Sequence, residues 1–461
     1  MINLMSGYGV LFGLVIAVNL HGETLEHDMQ IFNVSHLYPF FEKLSKLEKD
    51  TTAGKVNIVH IGDSHIQSDF LGSTMRKTLQ QSFGNGGYGF AFPYGFHREG
   101  DSSRTFRFYS NASWRICRNN MPHRCDPDAE FGLAGYGFTA SIDDFAMKIE
   151  VADEQYKFNT IKVVSAGTPF PYRPASAAAG TVIKNPPRSL ERHTVKRGET
   201  LASIAKKYNV SADSIKDRNN MTSNAIRVGR ILRVPVEVES LNIDMSLFSP
   251  LEFQQRGQHV AAYRQKEPAL EAYLIPAVKL PLYNLNGLVF ESDERGVIYH
   301  SIGTVGSMAS HFNATPLFFE QLPVLSPDLV IISFGTNESF NKVPTKSFIE
   351  QINLLIANIR KNSPNVPVIV TTPPTSLFKG GALNTYAEEY SNTLLQASDF
   401  AVWDLYSFTG GLMGAKENPE AIQIERDRMH YTEQGYNRQG TVFANVILHN
   451  YEAYKQLGKE P

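Results

Sequence analysis

The stretch VNIVHIGDSHIQSDF, from Val56 to Phe70, decides the fold prediction. VNIVHI predicts a buried parallel strand, GDS predicts a strand-to-helix turn, and the following FLGSTMRKTLQQSF predicts an amphipathic helix. Ser64 lies in that turn. A serine hydroxyl acts as a nucleophile only where a base, an orienting carboxylate and an oxyanion site accompany it. On the tripeptide alone, a capping or turn role for Ser64 is the simpler interpretation.

The α/β pattern returns only after a long interruption. PDLVIISFG and VPVIVTTPP, beginning at Pro327 and Val366, are typical of parallel strands, and SFIEQINLLIANIRKN between them has helical periodicity. From Thr105 to about Leu280, short alternating segments such as TFRFYS, FAMKIEV and KFNTIKVVSAG are typical of a β-sandwich. We therefore predict an α/β domain split by a β-rich insert. The aromatic residues of TFRFYSNASWR are interpreted as sandwich core, with sugar stacking as the alternative.

Charge and cysteine content limit the classes of partner. The 461 residues include 44 Lys and Arg against 46 Asp and Glu, a formal net charge of -2. Such a chain lacks the basic surface that nucleic acid demands, so neutral polymers or small molecules are the expected partners.

No phosphate-cradling glycine loop with a following Lys and no metal-ligand set occurs, so no cofactor or metal is expected. Cys117 and Cys125 predict one local disulfide, with two free thiols as the alternative.

The N-terminus carries an apolar run, GVLFGLVIAVNL, from Gly9 to Leu20. Its length suits a signal peptide, predicted over residues 1–22, and is too short to span a bilayer comfortably. We therefore expect an exported protein whose mature chain has no membrane span. A buried N-terminal strand or helix is the alternative, because no Lys or Arg precedes the run.

A self-contained segment follows the stretch AAAGTVIKNPPRS, whose small residues and prolines predict a linker. From His193 to Val236 the pattern predicts a strand, two short helices and a closing strand. The segment resembles a LysM module in its V-x-x-G-E-T-L opening, its I-A-x-x-Y-x-V helix end and its V-G-R-x-L-x-V-P finish. The resemblance implies binding of a glycan containing N-acetylglucosamine, such as peptidoglycan or chitin, between two loops. The glycan-binding residues it implies are Gly198, Glu199, Thr200, Leu201, Arg227, Val228 and Gly229.

Three further segments bear on Ser64. In ERDRMHYTEQGY, Asp427 precedes His430 by three residues, a spacing that can place a carboxylate on one imidazole nitrogen. In PDLVIISFGTNES, Asn337 follows a buried strand that ends at Gly335, at the sheet edge where ligands bind in open parallel sheets. In VIYHSIGTVGSMASHF, Gly306 permits close approach of a backbone N–H to a substrate. Each of these features alone also has a simpler interpretation. Asp427 and His430 could equally cap a helix or bind a metal, although no third ligand is evident, and Asn337 and Gly306 could serve only a turn or loop.

Together and in this order, the four segments resemble the four blocks of the SGNH (GDSL-type) hydrolases. The family implies a three-layer α/β/α fold with a mostly parallel sheet. It implies Ser64 as nucleophile, His430 as base and Asp427 as the orienting carboxylate, with the oxyanion held by the N–H groups of Ser64 and Gly306 and by the Asn337 side chain. One departure is Glu338, where many members carry Asp; it puts one supporting contact in doubt.

The two resemblances together indicate a substrate. An ester-cleaving domain with an inserted glycan-binding module looks like peptidoglycan O-acetylesterases, which implies removal of the C6 O-acetyl group of N-acetylmuramic acid in a periplasmic or cell-surface location. His65 and the aromatic loop GGYGFAFPYG are candidates for the acyl pocket. Two alternatives stay open, namely an O-acetyltransferase with the same triad and a non-catalytic peptidoglycan-binding protein.

The predicted organisation combines these assignments. A split SGNH hydrolase domain occupies residues 50–98 and 297–455, a β-rich carbohydrate-binding-like insert occupies 104–180 and 237–290, and the LysM module occupies 193–236. No oligomeric state is predicted.

Overall fold

The computed structural model describes residues 30–457, except positions 51, 53, 95, 97–104, 187, 188, 209, 220, 222 and 237–240. The apolar run interpreted as a signal peptide lies outside the described residues. Within the described part of the chain, no helix is long and apolar enough to cross a membrane.

The strands, in chain order, are β1 (Ile31–Phe32), β2 (Lys55–Gly62), β3 (Gly89–Ala91), β4 (Phe106–Ser110), β5 (Arg115–Arg118), β6 (Tyr136–Ala140), β7 (Met147–Val151), β8 (Phe158–Val164), β9 (Tyr172–Ala177), β10 (Ser189–Thr194), β11 (Ile231–Val236), β12 (Phe248–Pro250), β13 (Glu252–Arg256), β14 (Val260–Ala269), β15 (Glu271–Pro276), β16 (Tyr283–Asn284), β17 (Gly287–Glu291), β18 (Gly296–Gly303), β19 (Leu329–Ser333), β20 (Val368–Thr371) and β21 (Ala401–Trp403).

The α-helices are α1 (Tyr38–Lys49), α2 (Ser64–Gln67), α3 (Phe70–Phe83), α4 (Leu201–Lys207), α5 (Ala212–Arg218), α6 (Ala309–Asn313), α7 (Pro316–Gln321), α8 (Thr336–Phe340), α9 (Thr345–Asn362), α10 (Thr385–Leu394), α11 (Leu405–Phe408), α12 (Gly411–Glu417) and α13 (Glu433–Leu457).

The central sheet has six strands in the order β1-β21-β20-β19-β2-β18. Its neighbouring strands are parallel except at the edge pair of β1 and β21, which is antiparallel. β2, the strand predicted from VNIVHI, lies between β19 and β18. In this register Gly62 at the end of β2 is level with Ser333 and Gly303. The polar turns that follow these three strands therefore meet at one edge of the sheet.

Alternate residues of β2 point to opposite faces of this sheet and enter two different cores. Val59 and Ile61 pack in the core that contains α9, whereas Val56 and Ile58 pack in the core that contains α1, α3 and α13. Helices thus cover both faces, which explains why VNIVHI is apolar throughout rather than alternating. The predicted mostly parallel sheet between two helical layers is present.

Besides the β10–β11 pair described below, three antiparallel sheets lie between α3 and β18 in the described chain. Their strand orders are β12-β9-β15-β7-β4, β13-β14-β8-β17-β3 and β16-β6-β5. Phe106 of β4 contacts Phe290 of β17, with ring centroids 4.7 Å apart, so the first two sheets share one core. Phe106, Phe108 and Trp114 of the TFRFYSNASWR stretch are buried. These aromatic side chains therefore form core and are not exposed for stacking on sugars.

The segment from Ser189 to Val236 is built on one antiparallel pair, β10 and β11, with α4 and α5 between them. Thr200 caps α4 by accepting a hydrogen bond from the backbone N–H of Ser203 at 3.1 Å. The segment encloses a small core of its own, formed by Val195, Leu201, Ile204, Ala205, Ile215, Leu232 and Val234.

Cys117 of β5 is bonded to Cys125, with their Cα atoms 5.5 Å apart. Of the two alternatives that the sequence left open, the structure has the disulfide. The bond closes a short loop at the end of β5.

Candidate active site

Ser64 stands where β2 passes into the short helix α2. Asp63 caps this helix by accepting a hydrogen bond from the backbone N–H of His65 at 2.9 Å. Ser64 is the first helical residue, and its own N–H makes no hydrogen bond to another described residue. A backbone N–H at this position remains available to a ligand at the sheet edge.

His430 lies within hydrogen-bond distance of Ser64, although 365 residues of chain separate them. The Oγ of Ser64 is 3.0 Å from Nε2 of His430, and Nδ1 of His430 is 2.7 Å from Oδ2 of Asp427. The side chains of His430 and Asp427 are 37% and 51% exposed, so the pair faces solvent. Hydroxyl, imidazole and carboxylate form one hydrogen-bonded series, the arrangement that activates a serine as a nucleophile.

Asp427 also fixes the turn that presents His430. Its Oδ1 accepts hydrogen bonds from the backbone N–H groups of Met429 at 3.0 Å and His430 at 2.9 Å. Partial burial acts to raise the pKa of Asp427, but the hydrogen bonds from the His430 ring and from these two N–H groups outweigh it and lower the pKa below its usual value. The carboxylate is therefore ionised where it holds the imidazole.

The turn Thr304–Ser307, called here the Gly306 turn, follows β18 beside α2. The backbone N–H of Thr304 donates to the carbonyl of Gly62 at 3.2 Å, which anchors the turn to the strand that carries Ser64. Gly306 has a φ of +74°, a conformation that favours glycine. Its N–H makes no hydrogen bond to another described residue and is, like that of Ser64, a free backbone donor.

Asn337 is brought to the same edge by the N-terminus of α8. Its Nδ2 donates to Oδ2 of Asp63 and to the carbonyl of Ser307, each at 3.0 Å. Both amide hydrogens therefore have partners within the protein. A role in holding an oxyanion requires Asn337 to share or exchange one of these bonds when substrate arrives.

Glu338, the departure from the family pattern, links two loops of the site. Its Oε1 accepts from the N–H of Ala309 at 2.8 Å, and its Oε2 accepts from the N–H of Gly335 at 3.0 Å. The side chain is buried, and burial raises its pKa to about 7. Glu338 thus joins the start of α6, just after the Gly306 turn, to the residue that precedes the Asn337 helix.

Sequence reasoning missed the supporting roles of Asp63 and Tyr436. Burial raises the pKa of Asp63 to about 7, and Asp63 accepts the Asn337 amide described above. The Nδ1 of His65 lies 2.8 Å from the hydroxyl of Tyr436, and the His65 ring centroid is 5.4 Å from that of His430. Burial lowers the pKa of His65 to about 3, so this ring is neutral. The buried His65 ring thus packs beside His430, and it also lines a small cavity together with Asp63.

The aromatic loop GGYGFAFPYG, the other candidate for the acyl pocket, contributes mainly to the core. Tyr88, Phe90 and Phe92 are buried, and the Tyr88 hydroxyl donates to Asp69 at 2.7 Å. Within the described residues, no group of three or more His, Cys, Asp or Glu is placed to hold a metal ion.

The two loops assigned to glycan binding lie side by side. The N–H of Gly229 donates to the carbonyl of Val195, next to the Gly198 turn, at 2.9 Å. Val228 is 67% exposed, whereas Leu201 is 1% exposed and belongs to the small core. The Leu201 side chain is therefore unavailable to a glycan, and it packs in the core beneath the Gly198 turn.

The remaining residues of this set are held by local contacts. Glu199 accepts hydrogen bonds from the His193 ring and from the Lys196 N–H, both at 2.7 Å, and Thr200 caps α4. Arg227 lies in the second loop, where its carbonyl accepts from the N–H of Arg230 at 3.0 Å.

Two family models match the chain. Residues 193–235 match the LysM domain, and residues 294–438 match the GDSL-like Lipase/Acylhydrolase family. The chain therefore carries a LysM domain and a GDSL-like acylhydrolase domain, the latter being of an ester-cleaving class of enzyme.

Known proteins resemble the chain to different extents. A curated relative, "Probable autolysin SsaALP" of Staphylococcus aureus (strain NCTC 8325 / PS 47), is 39% identical over 59 residues, which cover 13% of this chain and 22% of the relative. This chain thus spans about a fifth of the length of that relative.

A solved structure described as "Peptidoglycan O-acetylesterase in action, 5 min" aligns with a TM-score of 0.55 and 16% identity over 90% of this chain and 96% of that chain, so the two share a fold. A lipase/acylhydrolase from Enterococcus faecalis aligns at 21% identity with a TM-score of 0.25, over 33% of this chain and 76% of that chain.

Proposed function

Because this chain carries a GDSL-like acylhydrolase domain together with a LysM domain, we propose that it is a serine esterase that removes O-acetyl groups from cell-wall glycan. The bond we assign as its target is the acetyl ester on the C6 hydroxyl of N-acetylmuramic acid in peptidoglycan. The observation that carries the proposal is the hydrogen-bonded series from Ser64 through His430 to Asp427, at the edge of the parallel sheet.

The first step forms an acyl-enzyme. The Nε2 of His430 takes the hydroxyl proton of Ser64 while Oγ attacks the ester carbonyl, and Asp427 stabilises the resulting imidazolium through Nδ1. When the tetrahedral intermediate collapses, the bond to the sugar oxygen breaks and His430 returns its proton to that oxygen. The acetyl group is then bonded to Ser64 and the sugar hydroxyl is free.

The second step releases acetate. His430 takes a proton from water, the hydroxide attacks the acetyl carbonyl, and Ser64 leaves with the proton that His430 gives back. The negative oxygen in both steps is held by the N–H groups of Ser64 and Gly306, the two free backbone donors, and by Asn337 once it gives up an internal partner.

The LysM domain supports a wall glycan as substrate. A module of this kind recognises glycans that contain N-acetylglucosamine, the sugar that alternates with N-acetylmuramic acid in peptidoglycan. A net charge of -2 also suits a polymer partner that is not strongly anionic. We place the protein outside the cytoplasm, in contact with the wall, where the Cys117–Cys125 disulfide is chemically stable.

The test is acetate release from O-acetylated peptidoglycan, with wild type beside Ser64→Ala and with de-O-acetylated wall as the blank. We expect release by the wild type alone. Equal release by both proteins would refute the assignment of Ser64. No release from wall, together with Ser64-dependent hydrolysis of aryl acetates, would move the substrate to another ester or the reaction to acetyl transfer.

A further inference from the structure

The Gly306 turn is held by the β-rich insert as well as by the hydrolase sheet. The carbonyl of Val305 accepts two hydrogen bonds, from Nη1 of Arg118 at 3.1 Å and from Nδ2 of Asn120 at 3.0 Å. Oγ of Ser307 donates to Oδ1 of Asn119 at 2.8 Å. Three consecutive side chains at the end of β5 thus bind the two residues that flank Gly306.

A second segment of the insert holds the turn from another side. Oγ1 of Thr304 donates to the carbonyl of Ala134 at 3.2 Å, and the N–H of Val305 points at the Tyr136 hydroxyl at 3.4 Å. A Cβ atom placed on Gly135 would lie 2.4 Å from Oγ1 of Thr304, so the glycine backbone closely approaches the Thr304 side chain. Each residue of the Gly306 turn except Gly306 itself therefore bonds to the insert.

Arg118, the last residue of β5, and the following Asn119 and Asn120 belong to a loop of fixed size. Cys117 immediately precedes Arg118, and its disulfide to Cys125 closes the chain around them. The backbone of Asn119 is held as well as its side chain, because its N–H donates to the carbonyl of Gly135 at 3.0 Å. The loop is thus hydrogen-bonded both to the insert and to the Gly306 turn.

We propose that this disulfide-closed loop of the insert positions the Gly306 N–H for catalysis, with Asn119 and Asn120 as positioning residues. The proposal rests on the proposed function, in which that N–H stabilises the oxyanion. Backbone donors stabilise a transition state only when they are already aimed at the developing charge. A glycine turn without these bonds has many backbone conformations, so the insert completes the active site in addition to any contact with glycan.

The test compares Asn119→Ala and Asn120→Ala with a matched control, Asn111→Ala. Asn111 is, like Asn119, a buried asparagine of the insert, and it bonds to the backbone of Asp144, Ala146 and Leu241 rather than to the Gly306 turn. The measurements are kcat and KM for an aryl acetate, affinity for a boronic acid that forms a tetrahedral adduct with Ser64, and thermal melting.

We expect each loop variant to lower kcat by about tenfold to a hundredfold with KM nearly unchanged, since an oxyanion donor acts in the transition state alone. Boronic acid affinity should fall in parallel with kcat. Asn111→Ala should have a lower melting temperature than the wild type and an unchanged kcat. An unchanged kcat in both loop variants, or an equal loss in the control, would overturn the proposal.

Reduction of the wild-type disulfide by a phosphine gives a second measurement that needs no variant to fold. Opening the loop between Cys117 and Cys125 should lower kcat, and full reduction without such a loss would overturn the proposal. The two hypotheses fail differently. A wild type without Ser64-dependent hydrolysis refutes the proposed function and this inference with it, whereas an active wild type with equally active loop variants refutes this inference alone.

Discussion

Replacement of Asp427 by Asn changes the tautomer of His430 while leaving its turn in place. The new amide oxygen can keep the position of Oδ1, which accepts the N–H groups of Met429 and His430. The amide nitrogen then replaces Oδ2, 2.7 Å from Nδ1 of His430. Two donors cannot face each other, so Nδ1 becomes the acceptor and the ring proton moves to Nε2.

A proton on Nε2 removes the base that Ser64 needs. Because Nε2 lies 3.0 Å from Oγ and then donates instead of accepting, it cannot take the serine proton. We expect kcat for an aryl acetate to fall about 10⁴-fold, or about 5 kcal/mol in activation free energy, with KM little changed. The free energy of unfolding should change by about 1 kcal/mol or less, since the Asp427 carboxylate faces solvent.

Glu425→Gln is the matched control, because it makes the same acid-to-amide change at an exposed position of the same turn. Its kcat should equal that of the wild type. A folded Asp427→Asn protein whose kcat falls less than about tenfold would refute the triad geometry as the source of activity.

Three further predictions concern support and targeting. Glu338→Leu leaves the N–H groups of Ala309 and Gly335 buried without acceptors. The free energy of unfolding measured by urea denaturation should therefore fall by about 1–3 kcal/mol for each group. A total fall below about 0.5 kcal/mol would contradict the role of Glu338 in joining the two loops. Burial raises the pKa of Glu338 to about 7, so the folded protein binds a proton on this carboxyl group more tightly than the unfolded chain does. The resulting contribution to the free energy of unfolding is present at low pH and is lost as pH rises through 7. The unfolding free energy of the wild type should therefore fall relative to Glu338→Gln between about pH 5 and pH 8, and a relative rise would contradict this. Since Ser189 pairs with Val236, the two ends of the LysM domain are adjacent and a short Gly-Ser linker can replace residues 189–236. This variant should keep the wild-type kcat for aryl acetates but bind insoluble cell wall more weakly. Unchanged binding to the wall would contradict targeting by the LysM domain.

Much of the geometry of the candidate site could be predicted because its sequence signals are local. The strand, turn and helix around Ser64 follow from apolar periodicity over a few residues. The pair of Asp427 and His430 follows from a three-residue spacing, and their atoms lie 2.7 Å apart. The LysM domain is a continuous segment with its own core, so its pattern carries its fold.

The supporting contacts could not be predicted because they join distant parts of the chain. Nothing in the sequence near Asn119 indicates Ser307 as its partner, 188 positions later. The Tyr436 hydroxyl meets His65 across 371 positions. Sequence showed Glu338 only as a departure from a family pattern, and its hydrogen bonds to two loops depend on tertiary packing.

The most direct test of Ser64 as the catalytic nucleophile is labelling of the folded protein by a serine-reactive phosphonate, followed by peptide mapping. We predict one label per chain, located on Ser64, which blocks aryl acetate hydrolysis in proportion to its incorporation. Labelling should be absent from Ser64→Ala and strongly slowed in Asp427→Asn. Folded wild type that takes up no label at Ser64, or that stays fully active after labelling there, would contradict this assignment.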